Sequence, residues 1–76
     1  RLASLLLNLG DQFGELVENG TRITLRLTNQ EMANMIGTTR ETVNRTLNRF
    51  WDDKLVDMRT AHVVIVEPTR LRALIP

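Results

Sequence analysis

The chain has no cysteine, a single histidine, two prolines and only three aromatic side chains among its 76 residues. Without thiols it forms no disulfide, no thiolate metal site and no cysteine nucleophile. His62 alone cannot assemble a tetrahedral zinc site unless carboxylates join it. The longest purely apolar run is Val63-Val64-Ile65-Val66, far short of the roughly 20 residues that cross a bilayer, so no membrane is expected as a partner. No secretory signal is visible. A phosphate loop, a nucleophile motif and a Gly-rich cofactor turn are also missing. The residues therefore read as a binding domain, not an enzyme, with no cofactor of its own. Net charge is scarce too. Ten Lys and Arg face nine Asp and Glu, a balance of +1 that gives little bulk attraction to nucleic acid.

What is present is ordinary globular material. Hydrophobic residues make up 42% and charged residues 25%, which excludes disorder, and the length suits one small domain spanning 1–76. The total charge hides an uneven distribution. Residues 1–38 carry three Arg and four acids, whereas residues 39–76 carry seven basic and five acidic side chains. All the basic residues but Lys54 are Arg, whose planar fork suits phosphates and guanine edges.

Leu2, Leu5, Leu6, Leu9 and Phe13 recur at helical spacing and predict an amphipathic helix over 1–13, stopped at Gly14. Ala3 and Leu7 widen its apolar face. That face begins at residue 2 with no cap before it, so the helix is expected to continue N-terminally in a longer protein. Glu18-Asn19-Gly20 signals a turn, and the alternation of Ile23, Leu25 and Leu27 predicts a half-buried strand over 21–27. Thr28-Asn29-Gln30-Glu31 fits a capping box that opens a helix to about Ile36, with Met32, Met35 and Ile36 facing inward.

Gly37-Thr38-Thr39 ends that helix sharply and caps another over about 40–53. Val43, Leu47 and Phe50 fall on one face of it at roughly 100° per residue, with Trp51 at the margin. Arg40, Glu41, Asn44, Arg45, Asn48 and Arg49 fall on the other, all able to hydrogen-bond. Leu55-Val56 and Val63 to Val66 then predict a hairpin, and Pro68 opens a last short helix with Leu71 and Leu74 inward.

Two short helices joined by a tight Gly turn, the second polar on its free face, make a helix-turn-helix, and the hairpin after it makes a wing. The expected fold is α+β: a winged helix-turn-helix with a three-helix core and small antiparallel hairpins. On the polar arc Arg can bond guanine bidentately, Asn can bond adenine, and Glu can accept from cytosine. Thr39 and Thr42, near a helix N-terminus, can bond phosphates, as can Gln30 on the first helix of the pair. Asp52, Asp53 and Asp57 form an acidic cluster, but neighbours on a helix do not face one another, so they make a poor acid–base pair. The same pattern also fits a winged helix that contacts a protein, or one that binds RNA.

Leu27-Thr28-Asn29-Gln30-Glu31, Ile36-Gly37 and Thr39-Arg40-Glu41-Thr42-Val43-x-Arg45 resemble the C-terminal domain of Crp/Fnr-family bacterial transcription regulators. Leu5-Leu6-Leu7-Asn8-Leu9 and Val63-Val64-Ile65-Val66 extend the resemblance over nearly the whole chain. It implies that Arg40, Glu41 and Arg45 read base edges, joined by Asn44 from the polar arc. It implies that Thr28, Gln30, Thr39 and Thr42 hold phosphates, and that TGTGA-like palindromes are read by a homodimer. Arg49, later in the helix, and His62 in the wing are expected on the backbone as well. The resemblance also implies a cytoplasmic regulator whose β-barrel effector domain and dimerisation helix lie outside these residues. RNA polymerase is a further expected partner through the segment from Phe13 to Gly20, made acidic by Glu15 and Glu18. Three positions depart from the family pattern: Lys54 stands where Gly or Asn usually ends the recognition helix, the wing turn Arg59 to His62 has no Gly, and Thr46 replaces an apolar residue.

Overall fold

The computed structural model describes residues 1–76 as four helices and a four-stranded antiparallel sheet. Helix α1 (Leu2–Phe13) is the centre of the molecule and packs against elements from both ends of the chain. Leu2, Ala3, Leu6, Leu7 and Leu9 are all buried, which explains an apolar face too wide for one neighbour. The hairpin β1 (Gly14–Val17) and β2 (Gly20–Ile23) follows, then α2 (Asn29–Ile36) and α3 (Arg40–Asp52). Strands β3 (Val56–Asp57) and β4 (Val64–Ile65) form the wing, and α4 (Pro68–Arg72) returns to cover α1. One core joins these pieces, with Leu6, Val43, Val56 and Leu71 wholly enclosed. Each such side chain contributes about 1.5–3 kcal/mol of burial.

The sheet order is β1-β2-β4-β3, so the two hairpins are one sheet, joined where Thr21 and Arg22 pair with Ile65 and Val64. Gly20 sits at this junction. A Cβ there would overlap the Ile65 carbonyl oxygen, so the glycine is needed for close approach as much as for the turn.

Three expectations require correction, and one strand is an addition to them. The strand expected over 21–27 ends at Ile23, because its antiparallel partner β1 starts only at Gly14, directly after α1 ends. The chain then bends, leaving Leu25 exposed and Leu27 half-buried. Strand β1 itself went unforeseen: as an edge strand that buries nothing, it carries no apolar alternation. Met35 is 58% exposed. At roughly 100° per residue, Met32, Ile36 and Ala33 make one inward arc and Met35 lies outside it. Leu74 is also exposed, since α4 ends at Arg72 and no helical phase links it to Leu71; Ile75 packs on the core in its place.

Candidate nucleic-acid interface

The helix pair is built by local chemistry. The Thr28 hydroxyl accepts from the Glu31 N–H at 3.0 Å, and the Glu31 carboxylate accepts from the Thr28 N–H at 2.9 Å. The Thr28 backbone N–H first, and the Thr28 side chain after it, hold the Glu31 carboxyl below its usual range. Gly37 then takes a left-handed conformation (φ 73°), and the Thr38 N–H bonds back to the Ala33 carbonyl. Helix α3 starts two residues later with Thr39 as cap, its hydroxyl accepting from the Thr42 N–H at 3.2 Å.

The inner face of α3 is Val43, Leu47 and Phe50, all buried, which fixes the rotation of the helix. Arg40, Glu41, Asn44, Arg45, Asn48 and Arg49 are consequently exposed. The only ion pairs in the molecule are Arg22–Glu15 and Arg59–Asp57, so no charge of this arc is neutralised by a neighbour. The contacts within the arc are lighter. Thr39 and Thr42 share a hydroxyl–hydroxyl bond of 2.9 Å, and Arg45 Nη2 reaches Thr42 Oγ1 at 3.5 Å. Asn29 Nδ2 donates to Asn44 Oδ1 at 3.4 Å, bridging the two helices. Gln30 is exposed on α2 and donates to Asn34 Oδ1. Thr46 is half-buried at the margin of the inner face.

The structure thus brings Arg40, Glu41, Thr42, Asn44, Arg45 and Arg49 onto one helix, with Thr39 at its cap and Thr28 and Gln30 at the start of its partner. His62 is placed differently. It is half-buried, with Nδ1 3.1 Å from the Ile23 carbonyl oxygen. A carbonyl only accepts, so Nδ1 carries the proton, and in a neutral ring Nε2 is then an acceptor. Donation from His62 to a phosphate therefore requires the protonated ring.

Two departures from the family pattern gain a physical account. Lys54 adopts φ 62°, the only non-glycine residue at positive φ. The Leu55 N–H reaches the Phe50 carbonyl and the Lys54 N–H the Trp51 carbonyl, the two bonds of a Schellman motif, so Lys54 does the work of a glycine. In the wing, Asp57 replaces the missing glycine. Its Oδ1 accepts from the Arg59 N–H at 2.9 Å, closing an Asx turn. The Arg59 side chain also grips Asp57 through Nε and Nη2, and Asn19 donates to Oδ2 at 3.0 Å. This company, Arg59 above all, pulls the Asp57 carboxyl down to about 2. From sequence, Asp57 reads only as one of an acidic cluster, and Arg59 and Asn29 are passed over. The Asp-x-Arg spacing at a strand end was the available signal for the first pair; Asn29 had none, because its partner lies fifteen residues away.

A capped helix pair around a left-handed glycine, a free polar arc on the second helix and a short antiparallel wing define a winged helix-turn-helix domain. This is the type that transcription regulators use for binding DNA. The chain belongs to the Crp-like helix-turn-helix domain family, whose model matches residues 1–74. It is 35% identical over 75 residues to the transcriptional regulatory protein btr of Bordetella pertussis, covering 99% of this chain and 31% of that one. The global nitrogen regulator of Synechococcus elongatus is 37% identical over 71 residues, 93% of this chain and 32% of its own length. Among solved structures, the CO-dependent transcription factor CooA from Carboxydothermus hydrogenoformans superimposes with a TM-score of 0.88 at 30% identity. That match covers 96% of this chain and 34% of CooA. The relatives are transcription regulators, not enzymes. The chain spans about a third of their length. No helix in it is long and apolar enough to cross a membrane.

Proposed function

We propose that the chain is the sequence-reading head of a bacterial transcription regulator that binds double-stranded DNA. Helix α3 lies in the major groove, where Arg40, Glu41, Asn44 and Arg45 meet base edges. Thr28, Gln30, Thr39, Thr42 and Arg49 meet backbone oxygens, with His62 added when its ring is protonated. The single observation that carries this reading is the α3 arc: exposed, free of internal ion pairs, and mixed in sign. A surface for phosphate alone gains nothing from Glu41, whereas a base reader uses it to accept from cytosine N4. Two Arg and one Glu suit the G·C pairs of a TGTGA-like half-site. A homodimer would present two such heads to a palindrome, in the cytoplasm, with the effector bound outside this domain.

Selection of binding sites from random duplexes by the dimeric regulator tests this. A palindrome whose half-sites contain two G·C pairs is expected; recovery of sequences without any palindrome overturns the reading. A second role is favoured by the β1–β2 hairpin. Leu16 is 89% exposed there, next to Glu15 and with Glu18 at the turn, a surface suited to a protein partner such as RNA polymerase. Leu16→Ala is expected to lower transcription activation while leaving DNA affinity unchanged; equal activation by both proteins would remove this role.

A further inference from the structure

The turn of the β1–β2 hairpin carries a chemistry that DNA binding does not use. The chain has six asparagines. Asn8, Asn29, Asn34, Asn44 and Asn48 lie in helices and precede Leu, Gln, Met or Arg. Asn19 alone lies outside a helix, and it alone precedes glycine. It is exposed at the turn between β1 and β2. Asparagine is thermolabile because the next backbone nitrogen can attack its amide carbon. Before glycine no side chain hinders that approach, whereas a helical backbone holds the nitrogen away. Two bonds restrain Asn19 in the fold. Its Nδ2 donates to Asp57 Oδ2 at 3.0 Å. The Thr24 N–H meets the Phe13 carbonyl, so by the alternation of an antiparallel ladder Val17 and Gly20 form a hydrogen-bonded pair, which engages the Gly20 nitrogen.

We infer that Asn19 is a site of spontaneous deamidation, guarded by Asp57, whose product releases the hairpin turn from the wing. When the turn opens, the Gly20 nitrogen attacks Asn19 Cγ. The N–Cγ bond forms, the Cγ–Nδ2 bond breaks, and ammonia leaves with the proton of the Gly20 amide. Water then opens the cyclic imide at either carbonyl, giving aspartate or isoaspartate, and no oxidant or cofactor enters. Either product puts a carboxylate where an amide donated to Asp57, so attraction becomes like-charge repulsion. The isoaspartyl form also lengthens the main chain by a methylene directly before Gly20. That glycine packs so closely on the Ile65 carbonyl oxygen that not even a Cβ fits. The change is therefore felt at the β2–β4 junction and in the wing, while the α3 arc lies on another element.

Ageing of the regulator in warm, mildly alkaline buffer tests this, followed by tandem mass spectrometry of the tryptic peptide Leu2–Arg22. Conversion is expected at Asn19 and not at Asn8, and isoaspartyl methyltransferase should label the product. Asn19→Gln should abolish it. Asp57→Ala frees the amide and is expected to raise the rate severalfold. Arg59→Ala also loosens the wing but leaves the Asn19 contact, so its rate is expected to stay near that of the wild type. Asn19→Asp stands for the aspartyl product: backbone resonances from Asp57 to Thr60 are expected to shift, and those from Arg40 to Arg49 to stay. Thermal unfolding confirms that the compared proteins are folded. Conversion of another asparagine ahead of Asn19 overturns the site. So does an unmodified Asn19 under conditions that wholly convert a free peptide of the same turn. A rate raised equally by Asp57→Ala and Arg59→Ala, or by neither, overturns the guard. Unshifted wing resonances in Asn19→Asp overturn the release.

Discussion

Arg45 and Asp57 show how differently two charged residues on one small surface are employed. Arg45 is exposed, unpaired in charge and only loosely placed by Thr42, so its fork is free for a guanine edge. Arg45→Ala is expected to cost about 1–3 kcal/mol of DNA binding and to relax preference at one base pair, as read by competition with singly substituted duplexes. A uniform loss on all duplexes would assign Arg45 to phosphate. Asp57 is the opposite case, committed inside the protein to Arg59 and Asn19. Its carboxyl is held at about 2 in the fold against 3.8 ordinarily. For a depressed carboxyl, the stabilising contribution is complete above the ordinary value and is lost as pH falls toward the folded one. The wing is therefore expected to loosen between about pH 4 and pH 2. The Arg59 Nε–H resonance should move with a midpoint near 2 in the wild type and stay flat in Asp57→Asn. A midpoint near 3.8 would mean that the pair does not form in solution.

At the scale of elements, the helix-turn-helix rests on its ends. The C-terminus of α3 places Lys54 in the left-handed region, where a side chain costs about 1 kcal/mol relative to glycine. Lys54→Gly is expected to recover that amount, raising the melting temperature by about 4–8 °C for a domain of this size. A lower melting temperature would show that the Lys54 side chain contributes more than its backbone costs. These ends were also the most legible part of the sequence. The Thr28–Glu31 box, Gly37 and the Thr39 cap are local chemistry within four residues, and the α3 core face is set by three residues in helical phase. The hairpins were legible only in part, since β1 buries nothing and the two hairpins are joined by β2–β4 pairing between distant segments. Met35 and Leu74 show the same limit. Each is apolar, and each is turned outward by where a short helix packs or stops. The candidate site divides along the same line: the α3 arc follows from phase, while the Asn29–Asn44 and Asp57–Asn19 contacts join elements that only the folded chain brings together.

For the chain as a whole, the scarcity of net charge bears on how DNA would be held under the proposed reading. With a balance of +1, attraction to the phosphate backbone is weak at long range, and two of the α3 cations are proposed on base edges. Of the groups proposed on the backbone, Thr28, Gln30, Thr39 and Thr42 are neutral, His62 is charged only when protonated, and Arg49 is the one permanent cation. Neutral donors fix register but release no counterions, so the salt dependence of binding must come from few residues. In the proposed dimer, joining two heads would recover affinity by making the second binding event effectively intramolecular. Arg49→Ala is accordingly expected to weaken binding to specific and random duplexes alike. It should also reduce the slope of log affinity against log salt by about one unit per bound copy. Titrations of the dimeric regulator at several salt concentrations measure that slope directly. A slope unchanged by Arg49→Ala would move Arg49 off the backbone, and a loss confined to one base pair would place it among the base readers.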